Sequence, residues 1–178
     1  MLKHYLKVSI PVACIAILFT VITAIVDYKF DLLRHDEASI QFATAAERDR
    51  QLTCLARNIY YESATEPFEG KVAVAQVTLN RATSGQFPSD ICGVVYQKTR
   101  FTEKTVCQFS WYCEKPAALR VRSPALYNES MEVAKKVLLE NFRLDGLRDA
   151  LYYHADYVHP GWRKTKLVQI GHHIFYKG

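Results

Sequence analysis

The chain has 178 residues, of which 49% are hydrophobic, 23% charged and 12% aromatic, with 7 glycines and 6 prolines. That length suits one domain of about 100 to 200 residues plus an appendage, and the composition excludes collagen-like, low-complexity and wholly disordered chains. The net charge of +5 arises after Arg48, because five Lys/Arg meet five Asp/Glu up to that residue and 18 meet 13 beyond it; a globular part this basic suits an anionic partner such as nucleic acid, an acidic envelope polymer or a lipid surface.

Residues 8–26 form a run of 19 without a charge, rich in Ile, Val, Ala and Leu. As a helix it would be about 28 Å long, close to the hydrocarbon thickness of a bilayer. Lys3 and Lys7 precede it, and the positive-inside bias would keep them in the cytoplasm and send the rest of the chain outward. The alternative is a cleaved signal peptide, but its apolar region is usually about 7 to 15 residues and ends at an A-x-A-like site, which Ile22-Thr23-Ala24 matches poorly. Residues 1–7 are therefore read as a cytoplasmic tail, 8–26 as a transmembrane signal-anchor, 27–50 as a mixed-charge linker and 51–178 as the domain.

The domain opens with Leu52, Leu55, Ala56, Ile59 and Tyr60 at helical spacing, which predicts a helix over about 48–61 with Glu62 at its C-terminal end. Pro67 can start a second helix, carrying Val72, Ala75, Gln76, Leu79 and Asn80 on one face and stopping near Ser84-Gly85. Residues 89–96 suit a short helical turn, and 99–111, rich in Thr, Val and aromatic residues, look extended. Ser123-Pro124 starts an amphipathic helix through Ala125, Met131, Ala134, Val137 and Leu138 to Glu140. After a turn at Asp145-Gly146, two short runs at 150–154 and 170–176, separated by a polar segment at 160–166, could pair as strands. The class is α+β with helices leading.

Cys14 lies in the apolar run, leaving Cys54, Cys92, Cys107 and Cys113 in the domain. In an exported domain four cysteines allow three pairings. The short loop favours Cys107 with Cys113, leaving Cys54 with Cys92; free buried thiols are the competing reading. No C-x-x-C pair suggests a structural zinc site.

Glu62 follows an apolar helix and sits among aromatic residues, a setting that raises a carboxyl pKa and suits a general acid. The competing reading is a helix-end carboxylate held by solvent or an arginine. Glu66 and Glu69 flank Pro67 at the next helix start, where negative charge simply suits the helix dipole. The segment from Cys107 through Gln108, Phe109, Ser110, Trp111 and Tyr112 to Cys113 offers amide and hydroxyl donors beside a stacking face for a sugar ring, or else a bridged hairpin whose Trp is core. His154, His159, His172 and His173 cluster late, but their spacing fits no common zinc signature, and hydrogen bonding or sugar contact is the preferred role. No Gly-rich phosphate loop appears.

The motif Leu55-Ala56-Arg57-Asn58-Ile59-Tyr60-Tyr61-Glu62-Ser63, followed by Gly70-Lys71-Val72-Ala73-Val74-Ala75-Gln76-Val77-Thr78-Leu79-Asn80-Arg81, resembles the SleB-like cell-wall hydrolase family. Further matches follow in order: Phe87-Pro88, Cys92-Gly93-Val94-Val95-Tyr96, Cys107-Gln108-Phe109-Ser110-Trp111, Ala150-Leu151-Tyr152-Tyr153-His154-Ala155, Pro160-Gly161-Trp162 and Ile170-Gly171-His172-His173-Ile174-Phe175-Tyr176. The resemblance spans residues 52–177. It implies a mainly helical lysozyme-like or lytic-transglycosylase-like domain with short strands, cutting the peptidoglycan glycan strand without a cofactor or metal, with Glu62 as its acid/base. Glu62-Ser63 stands where the family often has Glu-Ala, and Glu-Ser resembles the catalytic pair of other lytic transglycosylases. Asn80, Gln108, Ser110, Trp111, Tyr153 and His154 are the expected substrate contacts, the last five as a rim around Glu62. The expected outcome is a 1,6-anhydro product, with hydrolysis as runner-up. A peptidoglycan amidase using the late histidines and a noncatalytic glycan-binding envelope protein are the rivals. The expected partners are peptidoglycan and, through the N-terminal run, the inner membrane, with the domain facing the periplasm or cell exterior and no nucleic acid bound.

Overall fold

A computed structural model describes residues 15–29, 40, 42–114 and 120–178. The chain divides into two units, Met1–Ser39 and Ile40–Gly178. In the first, residues 15–29 are helical, α1. The expected 19-residue span is not supported there. A helix over 15–29 reaches only about 22 Å, and among the described residues no helix is long and apolar enough to cross a membrane. Residues 8–14 of the run, Cys14 among them, lie outside the described residues, as does most of the linker before Ile40.

The second unit starts with α2, Ala45–Ser63. It begins upstream of the expected 48 because Thr44 caps it, its hydroxyl accepting from the Glu47 amide at 3.1 Å. Residues 45–47, expected to belong to the stalk or weak helix of the linker, are therefore part of this helix. Leu52, Leu55, Ala56 and Ile59 form its buried stripe, and α2 packs on α3 (Phe68–Thr83), α4 (Ile91–Val95) and α6 (Pro124–Leu139). Between them lie a hairpin, β1 (Lys98–Arg100) with β2 (Thr105–Cys107), and the short α5 (Ser110–Glu114). The stretch expected to be extended over 99–111 thus breaks into strand, turn, strand and helix, with Ser110 and Trp111 on the helix. Both disulfides form as paired from the loop lengths, Cys54–Cys92 joining α2 to α4 and Cys107–Cys113 joining β2 to α5.

Helix α3 is central and apolar on both sides. Val72, Ala75 and Leu79 join the helical core with Leu55, Ile59, Ile91, Val94 and Val133. Ala73 and Val77 join a second cluster with Leu147, Ala150 and Phe175 beneath the sheet. A helix covered on two sides carries no single apolar stripe. The sheet is antiparallel in the order β3 (Ala150–Ala155), β5 (His173–Lys177), β4 (Lys166–Ile170). The expected pairing of 150–154 with 170–176 holds for β3 and β5, but Ile170 ends a separate strand that starts inside the segment read as polar. Gly171 and His172 make the turn between β4 and β5. Gly171 takes φ 56°, and a Cβ there would run into the Glu66 carboxylate. That carboxylate is buried and accepts the His172 backbone N–H at 3.0 Å, so Glu66 is a fastener of the sheet, beyond the dipole role expected of it.

Candidate active site

Glu62 lies in the last turn of α2, held half-buried by the packing of that helix against the core. Tyr153, on β3, donates its hydroxyl hydrogen to Glu62 Oε2 at 2.8 Å. Burial pushes the Glu62 pKa above the ordinary carboxylate value, because the charged form loses water. The Tyr153 hydrogen bond and the Arg81 charge act against that rise, and the charge of Glu114 adds to it. Tyr153 is itself pushed well above the usual tyrosine value, by burial first and the Glu62 charge second, so it stays a neutral donor. With Oε2 accepting from Tyr153, the acidic proton of a protonated Glu62 belongs on Oε1.

Polar residues of α3 carry β3 to this position. The Gln76 side chain accepts from the Leu144 N–H at 2.9 Å and donates to its carbonyl at 3.3 Å. Asn80 donates to the carbonyls of Leu147 at 2.8 Å and Ala150 at 2.9 Å. Arg81 Nε donates to the Leu151 carbonyl at 2.8 Å. Three side chains on one helix thus pin the segment leading into β3, two residues before Tyr153. Asn80, expected to touch substrate, spends its amide on this fastening. Arg81 is buried, its guanidinium carbon 5.3 Å from the Phe87 ring centre, 5.4 Å from Phe109 and 5.8 Å from Tyr153. Its Nη1 has no hydrogen-bond partner among the described residues. Burial lowers its pKa, and the nearby Tyr153 and Glu62 oppose that.

On the other side of Glu62, Tyr61 stacks on Trp111, ring centres 4.6 Å apart. The Trp111 indole N–H donates to Asn58 Oδ1 at 3.2 Å, and Asn58 Nδ2 donates to Thr78 Oγ1 at 3.2 Å. A buried amide on α2 therefore ties α5 to α3 and presents a half-buried Trp next to the residue preceding Glu62. Gln108 is half-buried and Ser110 exposed at the start of α5; among the described residues neither side chain is spent on the fold.

His154 does not join that group. Successive strand residues face opposite ways, and since Tyr153 turns to Glu62, His154 turns outward. Its ring bonds the Ala155 carbonyl and the Tyr176 hydroxyl, both at 2.8 Å, and stacks on Tyr176. With Asp156, His159, Trp162 and Ile174 it lines a cavity of about 280 Å³ on the outer face of the sheet. His173 is the late histidine on the inner face, its ring edge-on to Tyr153 at 5.2 Å. Among the described residues no group of three or more His, Cys, Asp or Glu could hold a metal ion.

The geometry is thus a half-buried carboxyl in the last turn of a core helix, bonded from an antiparallel sheet by a tyrosine expected to touch substrate. The family model described as Cell Wall Hydrolase matches residues 65–176. The chain belongs to the cell wall hydrolase family. Its relatives include a spore cortex-lytic enzyme of Bacillus cereus, 33% identical over 136 residues, and one of Halalkalibacterium halodurans, 31% identical over 147. These alignments cover 74% and 79% of this chain but 45% and 39% of the relatives, so the chain spans less than half their length. The catalytic domain of the germination-specific lytic transglycosylase SleB from Bacillus anthracis superposes with a TM-score of 0.54 at 26% identity, covering 78% of this chain and all of that one. The catalytic domain of the Bacillus cereus SleB protein gives 0.57 at 25% identity, over 79% and 98%.

The match to the cell wall hydrolase model starts three residues past Glu62, so this carboxyl is singled out by its own motif and surroundings. Asn58, Tyr61 and Arg81 are site residues that the sequence pattern does not single out. Each stands inside a quoted motif, and Arg81 carries a usable signal: a cation directly after a helix stretch that is apolar on both sides has nowhere exposed to go.

Proposed function

We propose that the chain cleaves the glycan strand of peptidoglycan between N-acetylmuramic acid and N-acetylglucosamine, with Glu62 as its single acid/base. The observation that carries this reading is the half-buried Glu62 with its raised pKa and its Tyr153 hydrogen bond. Glu62 Oε1 gives its proton to the bridging oxygen, the bond from C1 to that oxygen breaks, and positive charge spreads over C1 and the ring oxygen. The muramyl C6 hydroxyl then attacks C1 and returns its proton to Glu62. The product is a 1,6-anhydro end, no water is consumed, and the acid is regenerated. Tyr153 and Arg81 stabilise the carboxylate that exists between the two proton transfers. The name of the SleB relative, a lytic transglycosylase, supports this outcome over hydrolysis. One observation favours hydrolysis: Glu114 lies near enough to raise the Glu62 pKa, and a second carboxylate could activate water.

Mass spectrometry of sacculi digested by the full-length protein tests the reading. Anhydro-muramyl ends, without ¹⁸O from labelled water, are the expected result; labelled reducing ends would replace the transglycosylase with a hydrolase, and uncut strands would reject glycan cleavage. We also infer that residues 8–26 anchor the chain in the inner membrane with the domain outside the cytoplasm, a reading supported by Lys3, Lys7 and the uncharged run and by two disulfides, which persist in oxidising compartments. A C-terminal alkaline phosphatase fusion should be active; activity only from a cytoplasmic reporter would reverse the topology.

A further inference from the structure

At the end of α2 that carries Glu62, a cavity of about 340 Å³ is lined by Tyr60, Tyr61, Ala64, Arg120, Arg122 and Leu126. Its size falls in the range of small-ligand sites, about 300 to 1,000 Å³. Its position is built into the fold. The Tyr60 hydroxyl accepts the backbone N–H groups of Arg122 and Ser123 at 3.0 and 3.1 Å, which fixes the segment entering α6 against the end of α2. Tyr60 also sets its ring edge-on to Tyr61 and Tyr127.

The charge in this cavity is one-sided. Arg120 and Arg122 are exposed, and among the described residues neither has an ion-pair partner and no carboxylate lines the space. Tyr61 adds a hydroxyl that is buried without a hydrogen-bond partner among the described residues. Ala64, Leu126 and the tyrosine rings supply apolar surface. An uncharged sugar would leave both guanidinium groups without an anion, whereas guanidinium pairs well with carboxylate, often through two parallel hydrogen bonds.

Resting on the glycan-cleavage reading, we propose that this cavity holds the carboxylate-bearing branch of the muramyl residue next to the scissile bond, its anionic group on Arg120 and Arg122 and its apolar part on Leu126 and the tyrosines. In peptidoglycan the rings themselves carry no charge; the acid groups belong to the lactyl ether of muramic acid and to the peptide attached to it. Tyr61 and Ala64 flank Glu62 in the chain, so a branch held here belongs to a sugar at the cut, and the basic pair selects muramyl-containing strands over plain N-acetylglucosamine polymers.

The test is calorimetric binding to the full-length Glu62→Gln protein, which leaves the ligand uncut. Three probes of four rings are compared: a peptide-bearing muropeptide, the same glycan stripped of peptide so that the lactyl carboxylate is free, and neutral chitotetraose. The expected result is loss of affinity for the peptide-bearing probe by about tenfold for each arginine replaced in Arg120→Gln and Arg122→Gln, with chitotetraose unchanged and with Arg122→Lys retaining part of the gain. Loss with the peptide-bearing probe alone assigns the peptide carboxylates; loss with the stripped probe alone assigns the lactyl carboxylate, which the peptide otherwise masks as an amide; loss with both shows that the arginines take either anion. Equal losses for chitotetraose, or anionic probes indifferent to both substitutions at unchanged melting temperature, would overturn the site. Failure of wild-type protein to cut sacculi would reject glycan cleavage, whereas the site itself stands or falls on the binding comparison.

Discussion

Glu62 is a carboxyl that the fold keeps short of water, and this couples its chemistry to stability with a definite sign. Its folded pKa lies above the ordinary value, chiefly through burial. Its contribution to stability is therefore complete below the ordinary carboxylate range and is lost as pH rises through the raised folded value. Glu62→Gln removes that loss while keeping an oxygen for the Tyr153 hydroxyl. The variant should cleave glycan about 10² to 10⁴ times more slowly, yet melt above the wild type at neutral pH and level with it in acid. Wild-type turnover, or a lower melting temperature at neutral pH, would contradict the assignment. Tyr153→Phe acts on the same proton from the other side. The hydrogen bond it removes lowers the Glu62 pKa, so the alkaline limb of kcat/KM should move to higher pH in the variant. A limb that stays in place would show that Tyr153 does not govern this proton.

At the scale of elements, α3 does two jobs that its sequence mixes. Its valines and alanines face two cores, and Gln76, Asn80 and Arg81 reach the chain entering β3. Asn80→Ala leaves the Leu147 and Ala150 carbonyls without their donor. The expected cost is about 2 to 4 kcal/mol in a denaturant melt, with weakened cleavage because β3 carries Tyr153. A fully stable variant with raised KM would instead return Asn80 to the substrate. Gly171→Ala should destabilise too, since the added carbon meets the Glu66 carboxylate at a positive φ. Much of this scaffold was legible. The periodicity of Leu52, Leu55 and Ile59 located α2 and put Glu62 at its end, Ser123-Pro124 marked the start of α6, and loop length sorted the cysteines. What stayed hidden was decided by tertiary contacts. Ser110 and Trp111 read as strand but are helical, beside a bridge joining Cys107 to Cys113. The outward turn of His154 was available from alternation once Tyr153 was aimed inward, but sequence alone does not say which of the two faces Glu62. Asn80 looked like a ligand residue because its partners are backbone carbonyls 67 and 70 positions away, which leave no trace in side-chain pattern.

Across the domain, the two disulfides differ in what they hold. Cys54–Cys92 joins the helix bearing Glu62 to α4 across a separation of 38 residues, whereas Cys107–Cys113 spans 6. If a bridge acts mainly by restricting the unfolded chain, its effect grows with the logarithm of the loop, giving about 4 kcal/mol for the longer loop and about 2 for the shorter. For a domain whose total stability is of the order of 5 to 15 kcal/mol, both are sizeable fractions, and loss of the first costs about twice as much as loss of the second. The shorter bridge instead steadies α5, whose Trp111 stacks on Tyr61 and bonds Asn58. Paired replacement Cys54→Ala with Cys92→Ala should therefore lower the denaturation midpoint about twice as far as Cys107→Ala with Cys113→Ala. The second pair should raise KM for glycan more than it lowers stability. Urea melts and initial rates on both variants, each under oxidising and reducing conditions, decide the matter. Equal destabilisation by the two pairs, or an unchanged KM in the second, would show that loop length and the setting of Trp111 are not what these bridges govern.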